Sequence, residues 1–195
     1  MSAVATAPRT QQDSVIGVIT LAFSSDPVAR FALPDPATYL TQMPPVVQAF
    51  GGAALDHGSA WYVEGFLGAA LWLPPGVHPD HETLDALIER HVPKQRQGMM
   101  SEAFEQMGAS HPDEPHWYLP LIGIDPSWQN HGLGSVLMEY AAAIFDRDRV
   151  LAYLESSNPR NIPFYQRHGY EVIRTIRAGD CPPITPMLRR PGARA

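Results

Sequence analysis

The sequence has little cysteine, little charge and no long apolar run. Cys181 is the single cysteine, which excludes an internal disulfide framework and a cysteine-rich metal site and favours a reducing compartment. The longest apolar run, residues 65–73, ends at Pro74-Pro75 and is far shorter than the ~18–20 residues of a membrane span. Residues 1–12 lack the apolar core and cleavage site of a secretory signal. These absences predict a soluble, cytoplasmic protein.

Basic residues are scarce as well. The chain carries 14 lysines and arginines against 20 aspartates and glutamates, which gives a formal net charge of −6. An acidic chain has no general attraction for nucleic acid or for an anionic membrane surface, so we expect neither as a partner. The length of 195 residues predicts one domain, with residues 1–12 and 190–195 as flexible tails. Both a monomer and a homodimer stay open.

Helices and one hairpin are predicted for the first half of the chain. Apolar residues at helical spacing predict a helix over residues 14–23, and the Pro- and Asp-rich segment 24–36 is predicted to be a loop. Residues 37–50 are predicted to form a helix that breaks at Pro44-Pro45, because proline has no N–H to donate. Two apolar runs that meet at Glu64-Gly65 predict a β-hairpin.

The second half alternates between helices and strands. Two helices, residues 79–90 and 93–107, come first, and the methionines of the second are expected to fill the core. The nearly continuous apolar run 117–124 predicts a central strand that is buried on both faces. The elements predicted after it are a helix over 132–145, a strand over 150–156, a helix over 160–168 and strands over 170–176 and 184–188.

A glycine-rich helix start follows the predicted central strand. Gly132 and Gly134 remove side chains at a point where free backbone N–H groups and the positive end of the helix dipole can close on an anion. This arrangement suits a pyrophosphate. Two glycines also allow a helix and a strand to pack closely, so the pair by itself does not require a ligand.

Two nucleotide-binding motifs fit this segment less well. The Gly-Lys-Ser/Thr of a P-loop is missing, which argues against hydrolysis of ATP or GTP. In a dinucleotide-binding fingerprint, Gly132-Leu-Gly134 would follow a strand and Glu155 would bind ribose, but Leu137 stands where the third glycine is expected. An oxidoreductase that binds NAD(P) stays as an alternative function.

Two motifs here resemble the GNAT superfamily of acyl-CoA-dependent N-acyltransferases. The segment Gln129-Asn-His-Gly132-Leu-Gly134 is similar to the phosphate loop of the family, Gln/Arg-x-x-Gly-x-Gly/Ala. Asn158, Asn161 and Tyr165, followed by Gly169-Tyr170, resemble its second element, an Asn and then a Tyr on the helix after the next strand. Because both motifs occur in the expected order, the resemblance is specific.

The resemblance implies a fold, a cofactor and a set of binding residues. The fold is α/β (α+β), with a GNAT-like central sheet that is mixed, mostly antiparallel and twisted, flanked by helices and splayed at its central strands. Acetyl-CoA is the implied cofactor, since a backbone nest suits its pyrophosphate and a strand edge suits the peptide-like amides of its arm. The residues implied for the arm are Ile122, Gly123, Ile124 and Asn158 or Asn161. Those implied to wrap the pyrophosphate are Gln129, Asn130, His131, Gly132, Leu133, Gly134 and Ser135.

The implied reaction is direct attack of an amine on the thioester, which needs no enzyme nucleophile. Tyr165 is the residue implied to donate a proton to the departing sulfur. Some members of the family use a glutamate on the strand that matches residues 117–124, and this strand has no carboxylate before Asp125. Glu155, His116 and a chain of water molecules therefore remain candidates for the general base.

The acceptor cleft is expected at the N-terminal helices and the hairpin, which the resemblance places across the sheet from the cofactor. Phe31, Tyr39 and Trp72 are expected to be its walls and Asp26 one of its acids, which suits a cationic small-molecule amine with an apolar body. A weaker likeness to the puromycin N-acetyltransferases of the family makes an aminonucleoside or other antibiotic a candidate acceptor. Asp26-Pro27 departs from that likeness, because an aromatic residue precedes the corresponding proline there.

The remaining titratable groups carry weaker indications. The run His78-Pro-Asp80-His81 has no fourth ligand nearby, so we expect no bound metal. Cys181 has no recognisable partner for nucleophilic catalysis. A CoA-binding regulatory module without turnover stays as a second alternative function, because the missing strand glutamate permits it.

Overall fold

The computed structural model describes residues 3–193, apart from the side chain of Glu64. Its helices are α1 (Gln12–Ala22), α2 (Pro27–Ala32), α3 (Pro36–Gly51), α4 (Ala53–Asp56), α5 (His81–His91), α6 (Lys94–Gly108), α7 (Leu133–Asp148) and α8 (Ile162–Arg167). None of these helices has both the length and the apolar character to cross a membrane. Its strands are β1 (Val4–Thr6), β2 (Ala60–Val63), β3 (Gly68–Leu73), β4 (His116–Ile124), β5 (Leu151–Ser156), β6 (Glu171–Val172) and β7 (Thr185–Arg189).

The strands form one sheet in the order β1-β2-β3-β4-β5-β7-β6. Neighbouring strands are antiparallel, except for the parallel pair β4 and β5. The predicted mixed, mostly antiparallel sheet is confirmed, and so is the hairpin of β2 and β3. A dinucleotide-binding fold of the doubly wound type would instead need a mostly parallel sheet, whereas β4 and β5 are the one parallel pair among the described strands.

The central strands β4 and β5 separate partway along their length. Their pairing ends at Leu119 and Leu154, although β4 continues to Ile124 along β3. Pro120 directly follows the last paired residue and has no N–H to donate. The register of β4 against β3 also shifts by one residue at this point, which is a β-bulge, a usual place for proline in a sheet. The predicted splay is confirmed, and Pro120 with the bulge gives its local cause.

Helices cover both faces of the sheet. On one face, α1 and α3 pack against the strands through residues such as Ile19, Val47 and Tyr153. On the other face, α7 places Leu137 and Phe145 against the sheet. A third apolar cluster joins α6 to the segment before β7. Each face therefore has its own apolar core, and the splay of β4 and β5 opens the sheet between them.

The prediction that the second helical segment breaks at Pro44-Pro45 is wrong. The structure has one continuous helix, α3, with both prolines inside it. The missing N–H groups would have bonded the carbonyls of Leu40 and Thr41, which lie on the exposed side of α3, where water can replace the lost donors. Burial of the opposite side of α3 on both sides of the prolines outweighs the cost of the two lost bonds.

Other boundaries differ from the predictions. The segment predicted to be a loop contains α2, whose N-cap is Asp26 and whose first residue is proline. The expected tail over residues 1–12 contains β1, which pairs with β2. The strand predicted over 170–176 is reduced to β6, with an isolated bridge between Ile176 and Ile184. Of the expected C-terminal tail, residues 194 and 195 lie outside the described residues.

Candidate active site

A cavity of about 830 Å³ lies where β4 and β5 separate. One part of its wall comes from the edge of β4, the loop before α7, and α8. Another part comes from α2, α3, α5 and α6 and is mainly apolar. The side chains that line this apolar part include Val28, Met43, Val46, Phe50, Leu84, Leu87, Ile88, Met100, Phe104 and Met107. The cavity thus joins a glycine-rich helix start to an apolar chamber.

The loop before α7 directs backbone N–H groups into the cavity. Asn130 and Gly132 have positive φ angles of 63° and 81°, so the chain turns sharply just before the helix begins. The Val136 N–H donates to the Gly132 carbonyl at 3.1 Å. The preceding N–H groups, which have no carbonyl partner within the helix, are those of Leu133, Gly134 and Ser135. Together with the helix dipole these N–H groups have the chemistry that suits an anion.

Both glycines of this loop matter for the approach of a ligand. A Cβ atom at Gly132 would meet nothing within 4 Å, so the space above it is free of protein atoms. At Gly134, a Cβ atom would lie 3.2 Å from Cζ of Phe164. Arg160 and Arg167 line the same cavity and add positive charge. An open backbone nest beside two guanidinium groups fits the pyrophosphate of coenzyme A.

Side-chain contacts fix the shape of the loop. The Asp125 carboxylate accepts the Ser127 N–H at 2.8 Å, and Gln129 Nε2 donates to the Ile124 carbonyl at 3.3 Å. His131 Nδ1 lies 2.8 Å from the Gln129 carbonyl, which turns the ring out of the cavity. Of the residues predicted to bind the cofactor, His131 does not line the cavity. The others do line it: Ile122, Gly123, Ile124, Gln129, Asn130, Gly132, Leu133, Gly134, Ser135, Asn158, Asn161 and Tyr165.

Tyr165 places a protonated hydroxyl group at the cavity. It lies on α8, is 7% exposed, and packs edge-on against Phe164. Burial and, less strongly, the negative charge of Asp26 raise the pKa of Tyr165 above its ordinary value. The hydroxyl therefore keeps its proton throughout the physiological pH range and is available as a hydrogen-bond or proton donor.

Asp26 lines the cavity as predicted, and it also has a structural role. Its Oδ1 accepts the Val28 and Ala29 N–H groups, both at 3.0 Å, which caps α2. Its Oδ2 accepts the Ser157 hydroxyl at 2.6 Å, which ties α2 to the segment after β5. Burial raises the pKa of Asp26, although these hydrogen bonds oppose the effect.

Glu155 is a buried carboxylate at the cavity wall, next to the last paired residue of β5. Its side chain is 2% exposed, and its Oε1 lies 3.4 Å from Nε2 of His111. The Oε1 atom is buried and has no hydrogen-bond partner. Burial and the nearby negative charge of Glu155 raise the pKa of Tyr118 and of Tyr153. Of the two side chains proposed as the general base, Glu155 is the one that lines the cavity.

The structure does not place His116 in the cavity. His116 begins β4, at the end of the strand pair away from the splay, and its Nε2 lies 3.0 Å from Nδ1 of His111. His116 therefore cannot accept a proton directly from a ligand in the cavity. His111, which the sequence analysis did not single out, lies between it and Glu155.

Three residues predicted to be walls of the acceptor cleft lie elsewhere. Trp72 is fully buried under α7, with its ring 4.7 Å from that of Phe145. Tyr39 is 2% exposed and donates its hydroxyl to the Thr20 carbonyl at 2.6 Å. Phe31 carries the guanidinium of Arg96 over its ring at 4.6 Å. These aromatic residues stabilise the core and the helical layer, so the cleft walls come from other side chains.

The walls that the sequence analysis missed lie on α5 and α6. Met100 and Met107 were expected to fill the core, and both are indeed buried, but they also face the cavity. Phe104 faces it as well and makes an edge-on contact with Phe50 at 6.0 Å. The signal was present as an apolar stripe on each helix, but periodicity does not distinguish a core from a ligand chamber.

The other titratable residues that the sequence singled out have structural surroundings. The Asp80 carboxylate caps α5 by accepting the Thr83 N–H at 3.0 Å and the Thr83 hydroxyl at 2.7 Å. Among residues 3–193, no group of three or more side chains is placed to hold a metal ion. Cys181 is buried, and burial raises the pKa of its thiol, which disfavours the reactive thiolate.

The central part of the chain is similar in sequence to known proteins. Residues 96–170 match the model of the Acetyltransferase (GNAT) family. An uncharacterized N-acetyltransferase of Schizosaccharomyces pombe is 32% identical over 82 residues, which are 40% of this chain and 33% of that protein. The similar segment thus spans about 33% of the length of this relative.

Solved structures share the fold over nearly the whole chain. A protein described as histone acetyltransferase HPA2 and related acetyltransferase, from Corynebacterium glutamicum, superposes with a TM-score of 0.69 at 21% identity and covers 98% of both chains. The Drosophila melanogaster polyamine N-acetyltransferase, an enzyme that forms N-acetylagmatine, has a TM-score of 0.68 at 14% identity over 97% of this chain and 100% of its own. At these identities the likeness establishes the fold.

The two kinds of similarity meet at the cavity. The matched segment contains β4, the loop before α7, and Tyr165. Members of the family use acetyl-CoA as the acetyl donor. The chain has the fold of the acetyltransferase (GNAT) family, and its residues 96–170 match the sequence of that family.

Proposed function

We propose that this protein is an acetyl-CoA-dependent N-acetyltransferase whose acceptor is a small-molecule amine with an apolar body. One observation carries the proposal. A single cavity joins the free N–H groups at the start of α7 and the unpaired edge of β4 to a buried tyrosine, a buried carboxylate and an apolar chamber. A donor binds at the first part of this cavity and an acceptor at the second.

The donor part of the cavity offers backbone groups and positive charge. The N–H groups of Leu133, Gly134 and Ser135 would hold the pyrophosphate, and Arg160 and Arg167 would add positive charge for the phosphates. The unpaired edge of β4 beyond Pro120 pairs with the amides of the pantetheine arm. Acetyl-CoA, when bound, supplies the acetyl thioester.

The chain supplies positioning and proton transfer for a direct acetyl transfer. The amine nitrogen forms a bond to the acetyl carbon while the bond from that carbon to sulfur breaks. Tyr165 donates a proton or a hydrogen bond to the departing sulfur, and Glu155 accepts the proton that the amine loses. A backbone N–H of β4 near Ile124 stabilises the negative charge on the acetyl oxygen. No side chain of the enzyme becomes acetylated.

The chemistry of the chamber selects the acceptor. Its walls are mainly aliphatic, aromatic or thioether side chains from four helices, with Gln42 and His91 among them, and the carboxylates that reach it are Asp26 and Glu155. A cationic amine with an apolar body satisfies both features, because its charge meets a carboxylate while its body replaces water in the chamber. The polyamine acetyltransferase that shares the fold acts on an amine, whereas another structure is described as a histone acetyltransferase. Fold alone therefore does not select the acceptor.

Several finer expectations remain part of this proposal. An antibiotic acceptor, including an aminonucleoside, rests on the weak sequence likeness. A single domain, the choice of monomer or homodimer, and a cytoplasmic location rest on composition and length. The alternative of a CoA-binding module without turnover makes the opposite prediction for Tyr165, since a module that only binds has no rate to lose.

The first experiment compares thermal unfolding with acetyl-CoA, with NADPH and without ligand. At about 100 times its dissociation constant, a ligand that binds only the folded state adds about 2.7 kcal/mol to the free energy of unfolding, which is a shift of several degrees. We expect a shift with acetyl-CoA and none with NADPH. A shift with NADPH alone would overturn the proposal.

The second experiment screens amines by the release of the CoA thiol and repeats the screen with Tyr165→Phe. We expect Tyr165→Phe to lower kcat by about 10-fold or more while the thermal shift with acetyl-CoA is kept. Tyr170→Phe is the matched control, because Tyr170 is a buried tyrosine near Tyr165 that does not line the cavity. Equal rates for Tyr165→Phe and the wild type would remove Tyr165 from the mechanism, and no turnover with any amine would favour the binding module.

A further inference from the structure

Two histidines connect the buried carboxylate of the cavity wall to the protein surface. His111 follows α6, and its Nε2 lies 3.4 Å from Oε1 of Glu155. Its Nδ1 lies 3.0 Å from Nε2 of His116, whose Nδ1 lies 2.8 Å from the Glu114 carbonyl. Glu155, His111 and His116 thus form a chain of titratable groups that begins at the cavity and leaves it on the side of the α6–β4 connection.

The hydrogen-bond partners determine which ring nitrogen of His111 and of His116 carries the proton. A carbonyl oxygen only accepts, so Nδ1 of His116 carries a proton and Nε2 of neutral His116 is an acceptor. Nδ1 of His111 must then be the donor between the two rings. In neutral His111, the lone pair of Nε2 therefore faces the Glu155 carboxylate.

This arrangement leaves a place for one proton between Glu155 and His111. With Glu155 ionised and His111 neutral, two lone pairs face each other, which agrees with the unpartnered state of the buried Oε1 atom. One added proton turns this contact into a hydrogen bond, whichever atom carries it. A proton between these two atoms satisfies both lone pairs, and the hydroxyls of Tyr118 and Tyr153 lie close enough to hydrogen-bond the same carboxylate.

We infer that His111 and His116 form a proton exit path, through which the proton that Glu155 takes from the acceptor amine reaches solvent. The inference rests on the proposed acetyl transfer and extends it to residues outside the cavity. A cationic amine that becomes a neutral amide gives up two protons, of which one goes to the CoA thiol and one must leave the site. Glu155 passes this second proton to His111 Nε2, and the Nδ1 proton of His111 moves on to His116 Nε2 or to water.

The surroundings of His111 fit this role. Its ring packs between the rings of Tyr118 and Tyr153, with centroids 4.6 and 4.4 Å away, so its position is fixed. The side chain is 27% exposed and lines a second depression on the surface, which is separate from the main cavity. His111 therefore contacts the buried carboxylate on one side and solvent on the other.

Other groups lie close to Glu155, His111 and His116 and affect their electrostatic surroundings. Burial lowers the pKa of His116, which keeps that ring neutral near pH 7. The further titratable or charged groups that act on this cluster are Tyr118 of β4, Tyr153 of β5, Arg174 of the segment after β6, and His78 of the segment after β3. The tyrosines stay protonated because burial and Glu155 raise the pKa of each.

The kinetic test uses His111→Phe and His111→Gln. Phenylalanine keeps a ring between the two tyrosines, and glutamine keeps a polar end, but neither can relay a proton. We expect each variant to lower kcat by about 10-fold at low buffer concentration, and we expect added imidazole or concentrated buffer to restore part of the loss. The thermal shift with acetyl-CoA should be unchanged. The matched control is His57→Gln, which removes an exposed histidine far from the cavity wall.

Equal kcat, equal pH profiles and no buffer dependence in both His111 variants would overturn the exit path. Failure of the proposed function is a separate result, since wild type would then release no CoA with any amine. A readout without turnover covers that case: the nitrogen NMR signals of His111 and His116, recorded across pH in wild type and Glu155→Gln. We expect the Nδ1–H tautomer for both rings in wild type and a changed Nε2 signal of His111 in Glu155→Gln, because an amide cannot exchange a proton with Nε2 as a carboxylate does. An unchanged Nε2 signal of His111 would contradict the proton transfer between the two groups.

Discussion

Arg189, at the end of β7, forms a two-pronged ion pair with Asp146 of α7. Its Nη1 and Nη2 atoms lie 2.7 and 2.8 Å from the two carboxylate oxygens, and its Nε donates to the His168 carbonyl at 3.1 Å. Arg189 is 3% exposed. The pair therefore joins the last strand to α7, the helix whose N-terminus lines the cavity, and it fixes the chain immediately before the expected C-terminal tail.

The ion pair between Arg189 and Asp146 is expected to make part of the stability sensitive to acid. The hydrogen bonds that Arg189 donates hold the pKa of Asp146 below its ordinary value. The contribution of the ion pair to the free energy of unfolding is therefore present above the unfolded pKa of about 3.9. It is lost as the pH falls through the lower pKa of the folded state. We expect Asp146→Asn to lower the free energy of unfolding by about 1–3 kcal/mol at pH 7 and by much less at pH 3. Urea titrations at both pH values measure the difference.

The neighbouring surface pair provides the control. Arg147 and Asp148 lie 2.7 Å apart, but both are solvent-exposed. Because water screens an exposed pair, Asp148→Asn is expected to change the free energy of unfolding little at either pH. An equal loss at pH 3 and pH 7 for Asp146→Asn would show that packing, and not ionisation, is the source of its effect.

The glycine at the N-cap of α7 is expected to affect both stability and donor binding. Gly132 has a φ of 81°, so alanine there is strained although its Cβ meets no protein atom. We expect Gly132→Ala to lower the free energy of unfolding by about 1 kcal/mol. We also expect it to weaken acetyl-CoA binding by the folded protein, because the added methyl group occupies space at the proposed anion site. Calorimetric titration with acetyl-CoA measures the second effect.

Gly98, an exposed glycine of α6, is the matched control for this substitution. Its Cβ would also meet nothing within 4 Å, and its φ is helical. Gly98→Ala is expected to raise the free energy of unfolding by about 0.5–1 kcal/mol and to leave acetyl-CoA binding unchanged. Similar effects of the two substitutions would contradict the assignment of Gly132 to the donor site.

The residues that line the proposed donor part of the cavity could be predicted from the sequence, because the motifs that indicate them are local in the chain. A glycine at a helix start, a strand before it and a tyrosine on the following helix lie within about fifty residues of sequence. Backbone geometry decides the role of Gly132, and this geometry depends on few distant contacts. Twelve of the thirteen predicted cofactor residues line the cavity, and His131 differs only because its ring bonds the Gln129 carbonyl.

The acceptor part could not be predicted in the same way. Trp72 and Met107 are both apolar residues on an apolar stripe, and only tertiary packing puts the first under α7 and the second at the cavity. The continuity of α3 across Pro44-Pro45 also depends on burial of its other side. Pro120 was an available signal, since proline inside an apolar strand indicates a bulge, and here it marks the splay.

The apolar chamber is expected to set the preference for the acceptor body. Leu87 of α5 lines it, so Leu87→Ala removes apolar contact from one wall. Each methylene group that loses its contact costs about 0.8 kcal/mol, or about 4-fold in kcat/KM. In a series of straight-chain amines, we expect Leu87→Ala to reduce kcat/KM by about 10-fold for the long members and to leave the shortest members unchanged.

Leu40→Ala is the control, because Leu40 lies on α3, is 67% exposed and does not line the cavity. It should leave the whole amine series unchanged. A uniform loss along the series for Leu87→Ala would point to a change in folding or in donor binding, and the thermal shift with acetyl-CoA distinguishes these two.

Asp26 is expected to bind the cationic amine at a cost in stability. Burial raises the pKa of Asp26, so the folded state favours the protonated carboxyl group. The favourable contribution of Asp26 to the free energy of unfolding is therefore present below the unfolded pKa of about 3.9 and is lost as the pH rises through the folded pKa. Asparagine is neutral at every pH, and its side-chain oxygen can still accept the Val28 and Ala29 N–H groups. We expect Asp26→Asn to be at least as stable as wild type at pH 7 and to raise the KM for cationic amines by about 10-fold.

Two variants separate charge from capping in this prediction. Asp26→Ala loses the cap as well as the charge, so it should lower the free energy of unfolding by about 1 kcal/mol and raise the KM similarly. Asp35 caps α3 at an exposed position outside the cavity, and Asp35→Asn should leave the KM unchanged. An unchanged KM in Asp26→Asn would assign the amine charge to Glu155 alone, because Glu155 is the other carboxylate that lines the chamber.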